Sequence, residues 1–167
     1  MEDIIIRRMR MDELDKIQAL YALQTAADTD PLTKLRINGK QHEWEMRRIR
    51  QQWILDQKYV VFVASLSDEI IGYVAAIIEQ QAAIFDVRTF ATIGEFWVLD
   101  AYRNRGIGCK LMEELLHDID DLGIRWVSMQ IPCDDELHHF LDKFGFRTQA
   151  KELRLDFETL PNAPENE

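Results

Sequence analysis

From Val98 to Gly108 the chain reads Val-Leu-Asp-Ala-Tyr-Arg-Asn-Arg-Gly-Ile-Gly. The residue types predict a strand that ends, a short loop with two arginines and two glycines, and a helix that begins. Helix N-termini carry unpaired N–H groups and a partial positive charge, and so favour phosphate. Gly106 and Gly108 let backbone approach a ligand with no Cβ between them. Arg103 and Arg105 add positive charge to an otherwise acidic half of the chain. The stretch reads as an anion cradle for a diphosphate; the plainer alternative is a turn joining strand to helix. It lacks the Gly-x-x-x-x-Gly-Lys-Ser/Thr of a P-loop. Leu111 stands where a dinucleotide fingerprint requires its third glycine.

Glu95 lies on the strand feeding this loop. A carboxylate there could take a proton from an ammonium acceptor, directly or through water, or be an exposed strand residue. His138 and His139 sit on a late helix and read as surface histidines, with a proton-donor role for His138 as the rival. Trp44 and Trp53 share a helix with Arg47, Arg48 and Arg50. They could shape an acceptor pocket, but an ordinary amphipathic helix is the preferred reading for the arginines. Cys109 and Cys133 form no Cys-x-x-Cys pair, and the four histidines form no His-Glu-x-x-His helix, so no metal is expected.

Length and charge bound the rest. At 167 residues, one domain is the expectation, spanning 1–158 with a flexible polar tail at 159–167. Hydrophobic residues make up 47% and charged residues 30%, which is globular composition. The net charge is −10 and uneven. Residues 1–58 hold 11 basic and 10 acidic side chains, whereas 59–167 hold 9 and 20. Such acidity argues against nucleic acid, whose binding rests on neutralising phosphates. It suits a cationic amine, or simply keeps the protein soluble. Without a signal peptide or an apolar run of spanning length, a cytoplasmic protein off the membrane is expected, as monomer or homodimer.

These residues need elements to position them. Ile4–Ile6 predicts a first strand, followed by a helix capped at Asp12. Residues 41–57 predict another helix. Tyr59–Ser65 and Ile70–Ile78 predict a hairpin about Ser67-Asp68. Residues 79–90 are ambiguous. Ala91–Leu99 predicts a strand, with Gly94 marking a bulge or a close backbone approach. Ile107, Leu111, Met112, Leu115, Leu116, Ile119 and Leu122 make the apolar stripe of a long helix over 106–122. Trp126–Ile131, a helix from Asp134 to Phe144, and Glu152–Phe157 complete the order. The class is α/β (α+β), a mixed sheet with helices on its faces.

The pattern Val98-x-x-x-x-Arg103-x-x-Gly106-x-Gly108 resembles the central motif of the GNAT N-acetyltransferases. Ile5–Leu20 is similar to that family's opening strand and first helix, and Asp134–Phe146 to its late helix ending in Lys-x-Gly-Phe. The resemblance implies a mostly antiparallel central sheet whose two final strands splay as a parallel pair around the cofactor. It implies acetyl-CoA as acyl donor and a primary amine as acceptor. Phe96, Trp97 and Val98 would pair with the pantetheine arm. The amides of Asn104 to Gly108, Ile107 among them, and next to them that of Cys109, would hold the pyrophosphate beside Arg103 and Arg105. Asp134 and Leu141 would also lie at the cofactor. Asp134 takes the place of the family's Asn, and Leu141 that of the Tyr that protonates the leaving thiolate. Leucine cannot donate a proton, so an acyl-CoA-binding module without turnover is the alternative to an enzyme.

Overall fold

Ser67 and Asp68 both adopt positive φ, 47° and 67°, in a tight turn between two strands. That conformation matches the twist of a two-residue hairpin. The computed structural model describes residues 3–27, 39–84, 86–131 and 135–150. The strands are β1 (Ile5–Arg8), β2 (Tyr59–Leu66), β3 (Glu69–Gln80), β4 (Thr89–Val98) and β5 (Val127–Met129). The helices are α1 (Leu14–Ala27), α2 (Gly39–Leu55), α3 (Ile107–Asp121) and α4 (Asp135–Asp142), with short 3-10 turns before α1 and α3. The described residues fall into two compact units. The larger lies within Met1–Thr29 and Arg36–Gln130 and holds the whole sheet; α4 belongs to the other, which runs on from Ile131.

The sheet order is β1-β2-β3-β4-β5. All neighbours are antiparallel except β4 and β5, which run parallel. The β2–β3–β4 meander is longer than hydrophobic patterning suggests. Polar Glu79 and Gln80 stay in register with Phe90 and Thr89, and Thr92 Oγ1 donates to Glu79 Oε2 at 2.7 Å. Residues 79–90 thus resolve into two strand ends and a connection. The described parallel pair is β4–β5, from segments 91–99 and 126–131. The expected strand Glu152–Phe157 lies outside the described residues, as do Cys133 and Asp134.

Side-chain alternation sorts the core into two layers. Ile17 and Leu20 of α1 and Trp53 of α2 pack with Val61, Val63, Ile70, Tyr73 and Ala75 on one face. On the other, α3 contributes Ile107, Leu111, Met112, Leu115 and Ile119, all buried. Each such Leu or Ile contributes roughly 1.5–3 kcal/mol on burial. Leu122, expected in that stripe, is 54% exposed because the helix ends at Asp121 before the stripe returns inward.

Candidate active site

The β3–β4 register slips at one point: Ala75 pairs with Glu95, but Ala76 pairs with Ile93. Gly94 is the extra residue, so the expected bulge is present, and a Cβ there would meet nothing within 4 Å. The slip has a chemical consequence. Residues two apart on a regular strand share a face. Here Ile93 shares the α3 face with Ala76, whereas Glu95 and Trp97 share the opposite face with Ala75 and Tyr73. The bulge therefore turns Glu95 toward α1 and α2.

There the carboxylate meets Arg50, which is completely buried. Arg50 Nη2 donates to Glu95 Oε2 at 2.8 Å and to Oε1 at 3.0 Å. Its Nη1 donates to Gln18 Oε1 at 2.7 Å. The guanidinium carbon lies 4.0 Å from the Tyr21 ring centroid and 5.3 Å from that of Trp53. Tyr73 donates its hydroxyl to Glu95 Oε2 at 2.6 Å. Burial, and then the charge of Glu95, push the Tyr73 phenol far above its ordinary pKa, so it stays a donor. Burial likewise raises Tyr21. The Glu95 side chain keeps 16% exposure.

Beyond Val98 the chain makes a 3-10 turn, Asp100–Tyr102, and enters α3 through Gly106 at φ 78°. Gly106, at the N-cap, makes no side-chain cap to α3, and the first-turn amides of a helix have no intrahelical partner. That is the donor set a pyrophosphate requires. Arg103 folds back instead of projecting forward. Its Nε donates to the Val98 carbonyl at 3.0 Å, its Nη2 pairs with Asp100 at 2.9 Å, and its guanidinium stacks 4.2 Å from the Trp97 ring. Arg103 thus braces the strand–loop junction. Exposed Arg105 rests 5.5 Å from the Tyr102 ring.

Beside the loop, β4 and β5 pair only from Ala91↔Val127 to Ile93↔Met129 among the described residues. Phe96 faces the α3 layer and is half-buried, and Val98 is buried. Trp97 Nε1 is buried with no partner among the described residues. Cys109 is a half-buried free thiol. Leu141 is buried on α4, and exposed His138 shares a hydrogen bond of 2.8 Å with Thr148 Oγ1. A groove of about 430 Å³ lined by Val87, Phe90, Trp126 and Val127 opens at the other end of β4, away from residues 103–108.

Residues 17–146 match the model of the acetyltransferase (GNAT) family. The chain belongs to the GNAT acetyltransferase family. Solved structures share its fold. A GCN5-related N-acetyltransferase from Ralstonia eutropha superposes with TM-score 0.74 at 15% identity, over 92% of this chain and 99% of that one. A predicted acetyltransferase with acetyl-CoA from Clostridium acetobutylicum gives 0.71 at 14%, over 93% and 97%. An aminoglycoside 6'-N-acetyltransferase from Acinetobacter haemolyticus gives 0.66 at 14%, over 91% and 97%. Among curated proteins none matches at the sequence level. As a GNAT enzyme it uses acetyl-CoA as acyl donor, and the glycine-opened α3 terminus fits the pyrophosphate of that molecule.

Two residues of this GNAT site carry weight that their sequence context understates. Arg47 and Arg48 behave as an ordinary exposed helix face, paired with Asp15 at 2.9 Å and Glu45 at 3.0 Å. Arg50 does not. The available signal is its place three residues before buried Trp53, which puts both on one helix face. Gly72 is the other. A Cβ there would lie 3.0 Å from the Trp97 carbonyl oxygen and 3.3 Å from Val98 Cα. Its absence lets β3 approach β4 closely.

Proposed function

We propose that this GNAT enzyme is an N-acetyltransferase acting on a primary amine by direct attack in a ternary complex, as one domain over 1–158 in the cytoplasm. The observation that carries the reading is the Gly94 bulge, which turns Glu95 to the α1–α2 face of the strand that pairs in parallel with β5. Acetyl-CoA supplies the acetyl group as a thioester: the amine's N–C bond forms as the C–S bond breaks, and CoA departs as thiolate.

The chain's residues do the remainder. The amides of Asn104 to Cys109, with Arg105 beside them, hold the pyrophosphate, and Arg103 braces them. Phe96, Trp97 and Val98 align the pantetheine arm along β4, where backbone N–H groups polarise the carbonyl. Glu95 Oε1 accepts the proton the amine loses. A thiol with pKa near 8.5 needs no strong acid to depart, so Leu141 plays no proton-transfer part, and water protonates the thiolate.

The test of this reading is Glu95→Gln. Measured with the best amine from a panel of alkylamines, polyamines, amino acids, aminoglycosides and peptide α-amines, kcat/KM at neutral pH should fall by about 10²–10⁴-fold. The acidic limb of its pH profile should flatten, with acetyl-CoA affinity unchanged. An unaltered profile would place the base elsewhere.

A further inference from the structure

A carboxylate offers about four lone-pair sites. On Glu95, Oε2 accepts two bonds, from Arg50 at 2.8 Å and from Tyr73 at 2.6 Å. Oε1 accepts one, the longer bond from Arg50 at 3.0 Å. The remaining acceptor site is therefore on Oε1. We propose that Arg50 is a positioning residue: it chelates Glu95 through Nη2 while Tyr73 occupies Oε2, so that Oε1 is the atom offered to the acceptor amine. This rests on the role given to Glu95 above.

Arg50 is suited to the task by what surrounds it. A guanidinium is planar and permanently charged, and it stacks on aromatic faces. Tyr21 and Trp53 set the position of that plane, and Gln18 holds its far nitrogen. A lysine would supply charge without the fork or the stack. Buried ion pairs are weak devices for stability, since apolar residues of equal volume often serve as well. This pair instead immobilises a carboxylate that stays partly exposed on the cofactor strand. The groups facing Glu95 come from three elements: Tyr21 from α1, Arg50 from α2 and Tyr73 from β3.

The test is a mutant cycle read with the best amine of the panel above. Arg50→Lys keeps the charge and loses the fork, so kcat should fall by about tenfold while the KM for the amine, the acetyl-CoA affinity and the melting temperature hold. In the Glu95→Gln background the same Arg50→Lys change should cost nothing further in kcat, because the atom it positions is gone. A merely structural arginine would lower the melting temperature, and would lower kcat by the same factor with or without the Glu95 carboxylate; that result overturns the proposal, as does wild-type kcat in Arg50→Lys. If Glu95→Gln keeps its acidic limb, the base reading fails separately, whatever the Arg50 variants do.

Discussion

Arg50 and Glu95, 45 positions apart in sequence, meet with Nη2 only 2.8 Å from Oε2, the guanidinium fully buried and the carboxylate partly exposed. The contact joins α2 to β4. It exists because one residue, Gly94, is inserted into β4 opposite an unbroken run of β3.

The β3–β4 approach should be as sensitive as the bulge. Gly72→Ala sets a methyl group 3.0 Å from the Trp97 carbonyl oxygen, a backbone atom that cannot swing aside. Overpacking of this kind costs about 1–3 kcal/mol. Thermal melting should drop by several degrees, and calorimetry should show weaker acetyl-CoA binding because Trp97 and Val98 are displaced. Unchanged melting and affinity would mean that the sheet absorbs the methyl group.

The anion loop has a direct probe in Gly108→Glu. A carboxylate in the first turn of α3 opposes the pyrophosphate by charge and bulk. Acetyl-CoA should bind at least about tenfold more weakly, a loss of about 1.4 kcal/mol, while far-UV circular dichroism is preserved. Equal affinity in the two folded proteins would remove residues 104–109 from the binding role.

Leu141 separates packing from proton transfer. Leu141→Ala, at a position only 4% exposed, should cost about 2–5 kcal/mol of stability and little in kcat. Leu141→Tyr supplies a phenol and raises kcat where thiolate departure limits the rate. A fall in kcat of about a hundredfold for Leu141→Ala, in protein still folded at the assay temperature and with acetyl-CoA affinity intact, would give this side chain a catalytic role.

Acid sensitivity should trace in part to the β1–α1 junction. Arg7 donates to the buried Glu13 carboxylate at 2.5 and 2.9 Å, and the Arg10 backbone N–H donates at 2.8 Å. The Arg7 bonds above all hold the Glu13 pKa below its ordinary 4.5. A depressed carboxylate stabilises the fold above its unfolded pKa, and that contribution is lost as pH falls through the folded value. The melting difference between wild type and Glu13→Gln should therefore be full at neutral pH and shrink below 4.5. A difference constant down to about pH 3 would show that Glu13 contributes nothing through its charge.

What the sequence discloses follows the range of the physics. The α3 stripe and its opening glycine depend on neighbours within four residues, and both are where spacing puts them. The β2–β3 hairpin follows from β-branched runs about Ser67-Asp68. Gly94 announces a bulge, but which face Glu95 then occupies depends on register with β3, a pairing between distant segments. Arg50 escapes notice for the same reason. An arginine among Arg47 and Arg48 looks solvated until Gln18, Tyr21, Tyr73 and Glu95 are folded around it. The junction brace of Arg103 on Val98 and Trp97 is likewise a matter of tertiary geometry.

The most direct measurement is acetyl transfer itself. Protein, acetyl-CoA and each amine of the panel are incubated together, with CoA release followed by a thiol reagent and the amine product by mass spectrometry. At least one primary amine should gain a single acetyl group in step with one CoA released, and the rate should depend on both substrates in a ternary-complex pattern. Stoichiometric acetyl-CoA binding with no acetylated amine across the whole panel would contradict an enzyme and leave an acyl-CoA-binding module.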